Sequence, residues 1–203
     1  MFDKFRADPA ANRLTTRSGR IEIFCADIAG FGYDDCPGHP VWRQPKEFLG
    51  APLAKRFPLH LISNQPKTRL HSQLDPGCTS VASKIAGREP ACLNPADAAS
   101  RAIKEGDVIR VFNDRGACLA GATISDGVRP GVIQLATGAW YDPVKGGIGA
   151  LDRHGNPNVL TRDEGCSKLS QGSVAHSTLV EVERFDGVAP PVESFAPPAI
   201  KRR

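Results

Sequence analysis

Glycine and proline punctuate this chain so often that no long regular element fits between them. Its 203 residues carry twenty glycines and seventeen prolines. Breakers at that density cut the backbone into short segments with turns about every ten residues, which favours strands over a helix bundle. No apolar run approaches the roughly 18 residues needed to cross a bilayer. The N-terminal stretch Met-Phe-Asp-Lys-Phe-Arg has no apolar core of the kind a secretory leader needs. The expectation is therefore a mainly β protein with few helices and no membrane span.

Charge and cysteine usage narrow the partners. The formal net charge is +4, and Lys201, Arg202 and Arg203 supply most of it. The remainder is nearly balanced, unlike the concentrated basic face of a nucleic-acid-binding domain, so no nucleic-acid partner is expected. The six cysteines form no Cys-x-x-Cys pair and read as reduced thiols. Cys36-Pro37-Gly38-His39 is half of a zinc pattern without its second half, so no metal ligand is assigned.

The chain divides into three textures. Residues 1–57 are irregular, with one alternating stretch over 20–24 that predicts a strand. Residues 28–58 carry Phe31, Tyr33, Trp42 and Phe48 among glycines and prolines; they read as a segment that wraps over another surface and is poorly ordered without it. Residues 58–186 form the compact part. Strands are predicted over 59–63, 108–113, 118–124, 132–137 and 178–185, the second and third making a hairpin around Asp114-Arg115-Gly116. Asn94 as N-cap and Pro95 at the first helical position predict a helix over 95–103, with Gly106 as the turn that stops it. Residues 187–203 are Pro-rich and predict an extended tail. A small β-barrel fits this pattern best.

Catalytic templates are missing. Gly147-Ile148-Gly149 lacks the third glycine of a dinucleotide fingerprint, and neither a phosphate-binding P-loop nor a Gly-x-Ser-x-Gly elbow is present. What stands out is Ser63-Asn64-Gln65-Pro66-Lys67-Thr68-Arg69-Leu70-His71-Ser72-Gln73, directly after an apolar strand. Its hydroxyls, amides and guanidinium suit an anion beside a polar heterocycle, with Arg69 as a bidentate fork to phosphate. The same residues also suit a surface loop capped by its own side chains. His154-Gly155-Asn156-Pro157-Asn158 is a second polar loop, equally readable as a tight turn, and Gln171-Gly172-Ser173-Val174-Ala175-His176 is a third candidate in which Gly172 would let the backbone approach a ligand closely.

Taken in order, seven motifs resemble one family. Leu61-Ile62-Ser63-Asn64-Gln65-Pro66, Arg69-Leu70-His71-Ser72-Gln73, Gly87-Arg88-Glu89-Pro90 and the 106–116 run come first. Gly138-Ala139-Trp140-Tyr141-Asp142-Pro143, His154-Gly155-Asn156-Pro157-Asn158 and Ser170-Gln171-Gly172 follow. Together they resemble the C-terminal molybdopterin-dinucleotide-binding domain of the dimethyl sulfoxide reductase family, nearest its biotin sulfoxide and trimethylamine N-oxide reductase branch, with biotin sulfoxide reductase preferred. The resemblance implies a double-psi β-barrel and a cofactor, bis(molybdopterin guanine dinucleotide) with molybdenum, held jointly with N-terminal and middle domains that this chain does not contain. It implies cofactor contacts at Ser63, Asn64, Gln65, Pro66, Arg69, His71, Ser72, Gln73 and Asn158. Ala175 and His176 are matched by spacing more than by residue type. It assigns no catalytic residue here: the metal-ligating region of the family lies elsewhere, so the chain reads as a detached portion of an S- or N-oxide reductase, inactive alone. A cytoplasmic location follows from the same branch, with the periplasm open for the parent enzyme. The alternative is a non-enzymatic β-barrel module that binds a nucleotide or a partner protein.

Overall fold

The computed structural model describes residues 2–147 and 149–197. They fall into two units, one built from residues 2–44 and 164–173 and the other from residues 45–163 and 174–197. The first unit holds two short helices, α1 (Phe2–Ala7) and α2 (Ala26–Gly30), in otherwise irregular chain. The strand predicted over 20–24 is absent. Ile21 and Ile23 are exposed, and no ladder reaches them among the described residues. Alternation alone cannot make a strand where no second backbone supplies hydrogen bonds.

The second unit is a closed sheet. In chain order its strands are β1 (Leu59–Ile62), β2 (Pro90–Leu93), β3 (Val108–Phe112), β4 (Ala117–Ile124), β5 (Val132–Leu135), β6 (Leu151–Asp152) and β7 (Thr178–Arg184). They pair in the order β2-β5-β1-β7-β3-β4-β6, and β2 also pairs with β4, which closes six strands into a barrel. Around the barrel the pairs β1–β5 and β2–β4 are parallel and the other four antiparallel, and the β3–β4 hairpin runs from Val108 opposite Gly121 to Phe112 opposite Ala117. This is the mainly β barrel that the punctuation of the sequence demands.

Inside it, Leu59, Leu61, Leu93, Ile109, Val111, Ile133, Leu135, Val180 and Val182 form one apolar cluster. β4 is buried along most of its length and carries small residues there. A Cβ on Gly121 would lie 2.3 Å from the Cβ of Ile85, so only glycine lets the segment 84–88 approach this strand.

The helical expectation over 95–103 is shortened. α4 follows α3 (Cys78–Ser83) and runs only Pro95–Ala99, with the Asn94 side chain accepting from Ala96 N at 3.0 Å as predicted. It stops because Ala102 takes φ +52° and Ile103 N donates back to Ala98 O. That closure ends the helix without glycine and delivers Ile103 to the core. Gly106 serves the next turn instead, donating to Ala122 O.

Two further boundaries move. Residues 45–57 belong to the barrel unit and do not wait for a missing surface. Glu47 is buried, takes a bidentate pair from Arg115 at 2.7 and 3.1 Å, and accepts from Leu179 N of β7 at 2.8 Å, while Phe57 packs edge-on against Phe112. Residues 188–197 also belong to this unit; the tail is fastened down rather than free. Its last residues, 198–203, lie outside those described.

A left-handed alanine is a local liability. Ala102→Gly should raise stability by about 1 kcal/mol, since an L-residue at this φ costs roughly 1–2 kcal/mol. The midpoint of urea unfolding is the measurement.

Candidate functional site

The loop 63–73 leaves β1 and meets the loop 136–142, which leaves β5, the parallel neighbour of β1. Their union is close. Thr137 N donates to Asn64 O at 2.9 Å, and a Cβ on Gly138 would fall 1.9 Å from the His71 carbonyl oxygen. Glycine at 138, with φ +94°, is therefore a requirement of the junction.

Arg69 makes the junction from inside. Its side chain is fully buried, as is that of Asp75, and those of Lys84 and Glu89 are nearly so. Arg69 lies 3.4 Å from Asp75 and 3.1 Å from Glu89, and Lys84 lies 2.7 Å from each of the same two carboxylates. Two cations and two anions make a neutral quartet, the arrangement in which buried charge is tolerated. The Arg69 guanidinium also donates to His71 O, Ser80 Oγ and Thr137 O at 3.0 to 3.3 Å. Burial alone would raise the Asp75 carboxyl; the Lys84 ammonium, the Trp140 N–H and the Arg69 charge outweigh it and hold it below the ordinary value. The fork expected to reach out to a phosphate is thus turned inward. The loop's only arginine is held by two carboxylates, two carbonyls and the Ser80 hydroxyl.

A second hub lies under the other polar loop. Buried Asp152 accepts from the backbone N–H groups of Asp142, His154, Gly155 and Asn156 at 2.7 to 3.2 Å. Its carboxyl is nonetheless pushed up, because burial exceeds what these four bonds return. His154 is fully buried, and its Nδ1–H donates to Trp140 O at 2.9 Å. Nε2 is left as an acceptor without a partner among the described residues. Burial, then the Lys84 charge, hold this imidazole below its ordinary pKa. Asn156 caps the short turn Pro157–Val159, its Oδ1 accepting from Asn158 N.

These supports shape two concavities. A groove of about 560 Å³ is lined by His71, Ser72, Thr137, Trp140, Tyr141 and Asn158, among others. Four of its lining carbonyls are spent inward: His71 O and Thr137 O on Arg69, Ser72 O on the Trp140 indole, Trp140 O on His154. The backbone N–H groups of His71 and Ser72 have no acceptor among the described residues. These two N–H groups are donors on the groove wall, which suits acceptors such as phosphate oxygens or the carbonyl edge of a pterin or guanine. The second cavity, about 380 Å³, is lined by Asn64, Pro66, Lys67, Thr68, Ser83 and Gln134, among others. Asn64 Oδ1 is buried there without a partner, and Lys67 is an exposed cation with no ion pair among the described residues. An orphaned amide oxygen, a free ammonium and a donor-rich groove fit a phosphorylated heterocycle.

The residues singled out from the sequence are thus divided. His71, Ser72 and Asn158 are brought together in the groove, while Asn64 and Pro66 line the other cavity. Ser63 is buried at the end of β1, and Gln65 and Gln73 are exposed. Ala175 and His176 line neither concavity. Sequence reasoning missed Lys67, Gln134, Trp140 and Tyr141 as lining residues; the adjacency of Lys67 to the Asn-Gln-Pro run was the one available signal. A larger hollow lies in the other unit, near Asp8, Arg13 and Arg20; the Asp8 carboxylate and the Arg13 guanidinium there are bonded within their own turns. Among the described residues no three or more His, Cys, Asp or Glu side chains gather as metal ligands, and no helix is long and apolar enough to cross a membrane.

Comparison with known proteins places this architecture. The family model described as "Molydopterin dinucleotide binding domain" matches residues 59–179, the whole barrel up to the start of β7. The chain belongs to the molybdopterin dinucleotide-binding domain family. It is 50% identical over 198 residues to the dimethyl sulfoxide/trimethylamine N-oxide reductase of Cereibacter sphaeroides, covering 97% of this chain and 24% of that protein. It is 52% identical over 189 residues to trimethylamine-N-oxide reductase 1 of Escherichia coli strain K12, covering 90% of this chain and 22% of that protein. The chain thus spans about a quarter of the length of these relatives. Among solved structures, acetylene hydratase from Pelobacter acetylenicus shares the fold, with a TM-score of 0.69 at 20% identity over 88% of this chain and 25% of that one.

Two predictions follow from the buried charges. Arg69→Ala leaves two carboxylates facing one ammonium and should cost about 3–5 kcal/mol of stability; Arg69→Lys should recover only part, because one ammonium cannot reach all the acceptors of a planar fork. Urea unfolding of both variants checks this. For His154, the unfolded chain takes up a proton near the ordinary value of 6.5, before the folded one does. Its contribution is therefore full above that pH and declines as pH falls from there through the lower folded value. Asp152 acts in the opposite sense at lower pH, since its raised carboxyl takes a proton first in the folded state. Unfolding midpoints between pH 7.5 and pH 5 should fall with acidification, and fall less steeply in His154→Gln.

Proposed function

We propose that this chain is the C-terminal portion of a molybdenum oxidoreductase that reduces S- or N-oxides, and that it holds bis(molybdopterin guanine dinucleotide) jointly with preceding domains of the parent enzyme. The observation that carries the reading is the groove in which four lining carbonyls are consumed from behind while the His71 and Ser72 N–H groups are left as donors. Family membership and the names of the relatives, which are dimethyl sulfoxide and trimethylamine N-oxide reductases, support the reaction class. Neither is a biotin sulfoxide reductase, and the substrate proposed is the wider class of oxides.

In this reading Ser72, His71 and Asn158 contact the cofactor through hydroxyl, imidazole and amide groups, with Trp140 and Tyr141 as its apolar wall. Asn64 and Pro66 line the neighbouring cavity, and Gln65, Ser63 and Gln73 of the same loop remain proposed contacts. Lys67 takes the role of phosphate cation that Arg69 does not fill. Ala175 and His176 remain proposed contacts on spacing alone. When bound, the cofactor supplies the redox chemistry of oxygen-atom removal. The chain's own part is to bind, orient and shield it.

The test co-produces this chain with the portion of the Escherichia coli relative that it does not cover. Denaturing extraction of the purified complex should yield pterin and guanine nucleotide together. Lys67→Ala should lower both roughly tenfold, the loss expected of one charge-assisted bond to phosphate worth about 1.5–3 kcal/mol. A complex that assembles with neither compound, or with nucleotide alone, would favour the non-enzymatic module.

A further inference from the structure

The segment 188–197 takes no part in the barrel ladder or its apolar cluster, which ends at Val182, yet it is attached at five places. Arg88 Nη2 donates to Pro190 O at 2.5 Å. Val192 lies over Gly87, where a Cβ would meet its Cγ2 at 3.6 Å. The backbone N–H groups of Glu193 and Ser194 both donate to Asp142 Oδ2, at 2.6 and 3.0 Å. Glu193 pairs with Arg153 at 2.8 Å, and Arg153 pairs with Asp142 at 3.0 Å. Phe195 stands edge-on to Trp140, with ring centres 5.6 Å apart, and to His154 at 5.0 Å.

We infer that residues 188–197 are a strap whose Phe195 and Glu193 position the Trp140 wall of the donor groove. The attachment is selective: every residue it grips, apart from the 87–88 turn, belongs to the loops that form the groove. Trp140 lines the groove and holds Ser72 O through its indole N–H. Asp142 is buried, and two of its hydrogen bonds come from strap N–H groups. Its own N–H reaches Asp152, which also holds Asn156 N, and Asn156 in turn holds Asn158 N. A continuous series of hydrogen bonds therefore runs from the strap to a lining residue on each side of the groove. Pro190, Pro191 and Pro197 stiffen the strap and reduce the entropy lost on docking. None of its residues is in the core, so its release leaves the barrel folded. As a statement about cofactor retention the inference rests on the function proposed above; as a statement about Trp140 it stands alone.

The experiment uses the full chain with Trp42→Phe, which leaves Trp140 as the sole tryptophan of the two. Acrylamide quenching of Trp140 should rise about twofold in Phe195→Ala, as local opening admits the quencher, with an unchanged urea midpoint for the barrel. Phe195→Leu should restore most of the protection, and Glu193→Ala should act in the same direction as Phe195→Ala. Unchanged quenching in both alanine variants would overturn the strap. If Phe195→Ala precipitates, Glu193→Ala alone decides by the same criterion. Cofactor content of the co-produced complex then separates the two ideas: raised quenching with lower pterin content supports both, while raised quenching with full content keeps the strap and overturns the groove as the cofactor's seat.

Discussion

Four buried charges decide the shape of the site. Arg69, Asp75, Lys84 and Glu89 come from the loop after β1, the chain just before α3, the chain after α3 and the edge of β2. Any one of them left alone in the interior would cost several kcal/mol, so the four segments are constrained to meet. Once they meet, the remaining donors of the guanidinium go to the Ser80 hydroxyl and to two carbonyls, His71 O and Thr137 O. The left-handed turn at His71, φ +51°, is held by that demand. Charge pairing inside thus determines which backbone groups are left facing the groove.

The other polar loop is built on the same economy with a single carboxylate. Asp152 gathers four backbone N–H groups that would otherwise be buried donors without partners, and Asp142 does the same for the strap. In both cases an anion organises an irregular segment that apolar packing could not specify, since loops offer little periodic surface to bury. The groove is therefore framed by hydrogen bonds to buried anions and a guanidinium, and the apolar cluster of the barrel lies apart from it.

The barrel was legible in the sequence because its strands carry periodic apolar residues between clear breakers, and Asn94-Pro95 states a helix start by itself. Legibility failed where the deciding partner was distant. Residues 20–24 alternate like a strand, but alternation carries no information about a neighbour to pair with. The left-handed Ala102 closes α4 by turning Ile103 N back onto Ala98 O, a device that glycine usually announces and here does not. The polar loop 63–73 could be recognised, yet its hydrogen-bonding residue types are the same whether they face a ligand or the interior. Asp75 and Glu89 lie 6 and 20 residues downstream of Arg69, and nothing local says that they bend back to claim it. Glu47 is similar: its partner Arg115 is 68 residues away, so a segment that looks irregular is anchored.

Within one motif the side chains part ways: His71 and Ser72 line a groove together with Asn158, whereas Arg69 is buried between Asp75 and Glu89. A motif that combines exposed hydrogen-bonders with a buried cation links recognition to folding. The exposed members can change with the ligand, but the cation cannot be lost without freeing the loop that displays them. Lys67 and Arg69 sit two residues apart with opposite assignments, one at the mouth of a cavity and one sealed beneath it. Charge type alone does not distinguish them. Burial does, and burial here is set by two carboxylates that the loop itself does not contain.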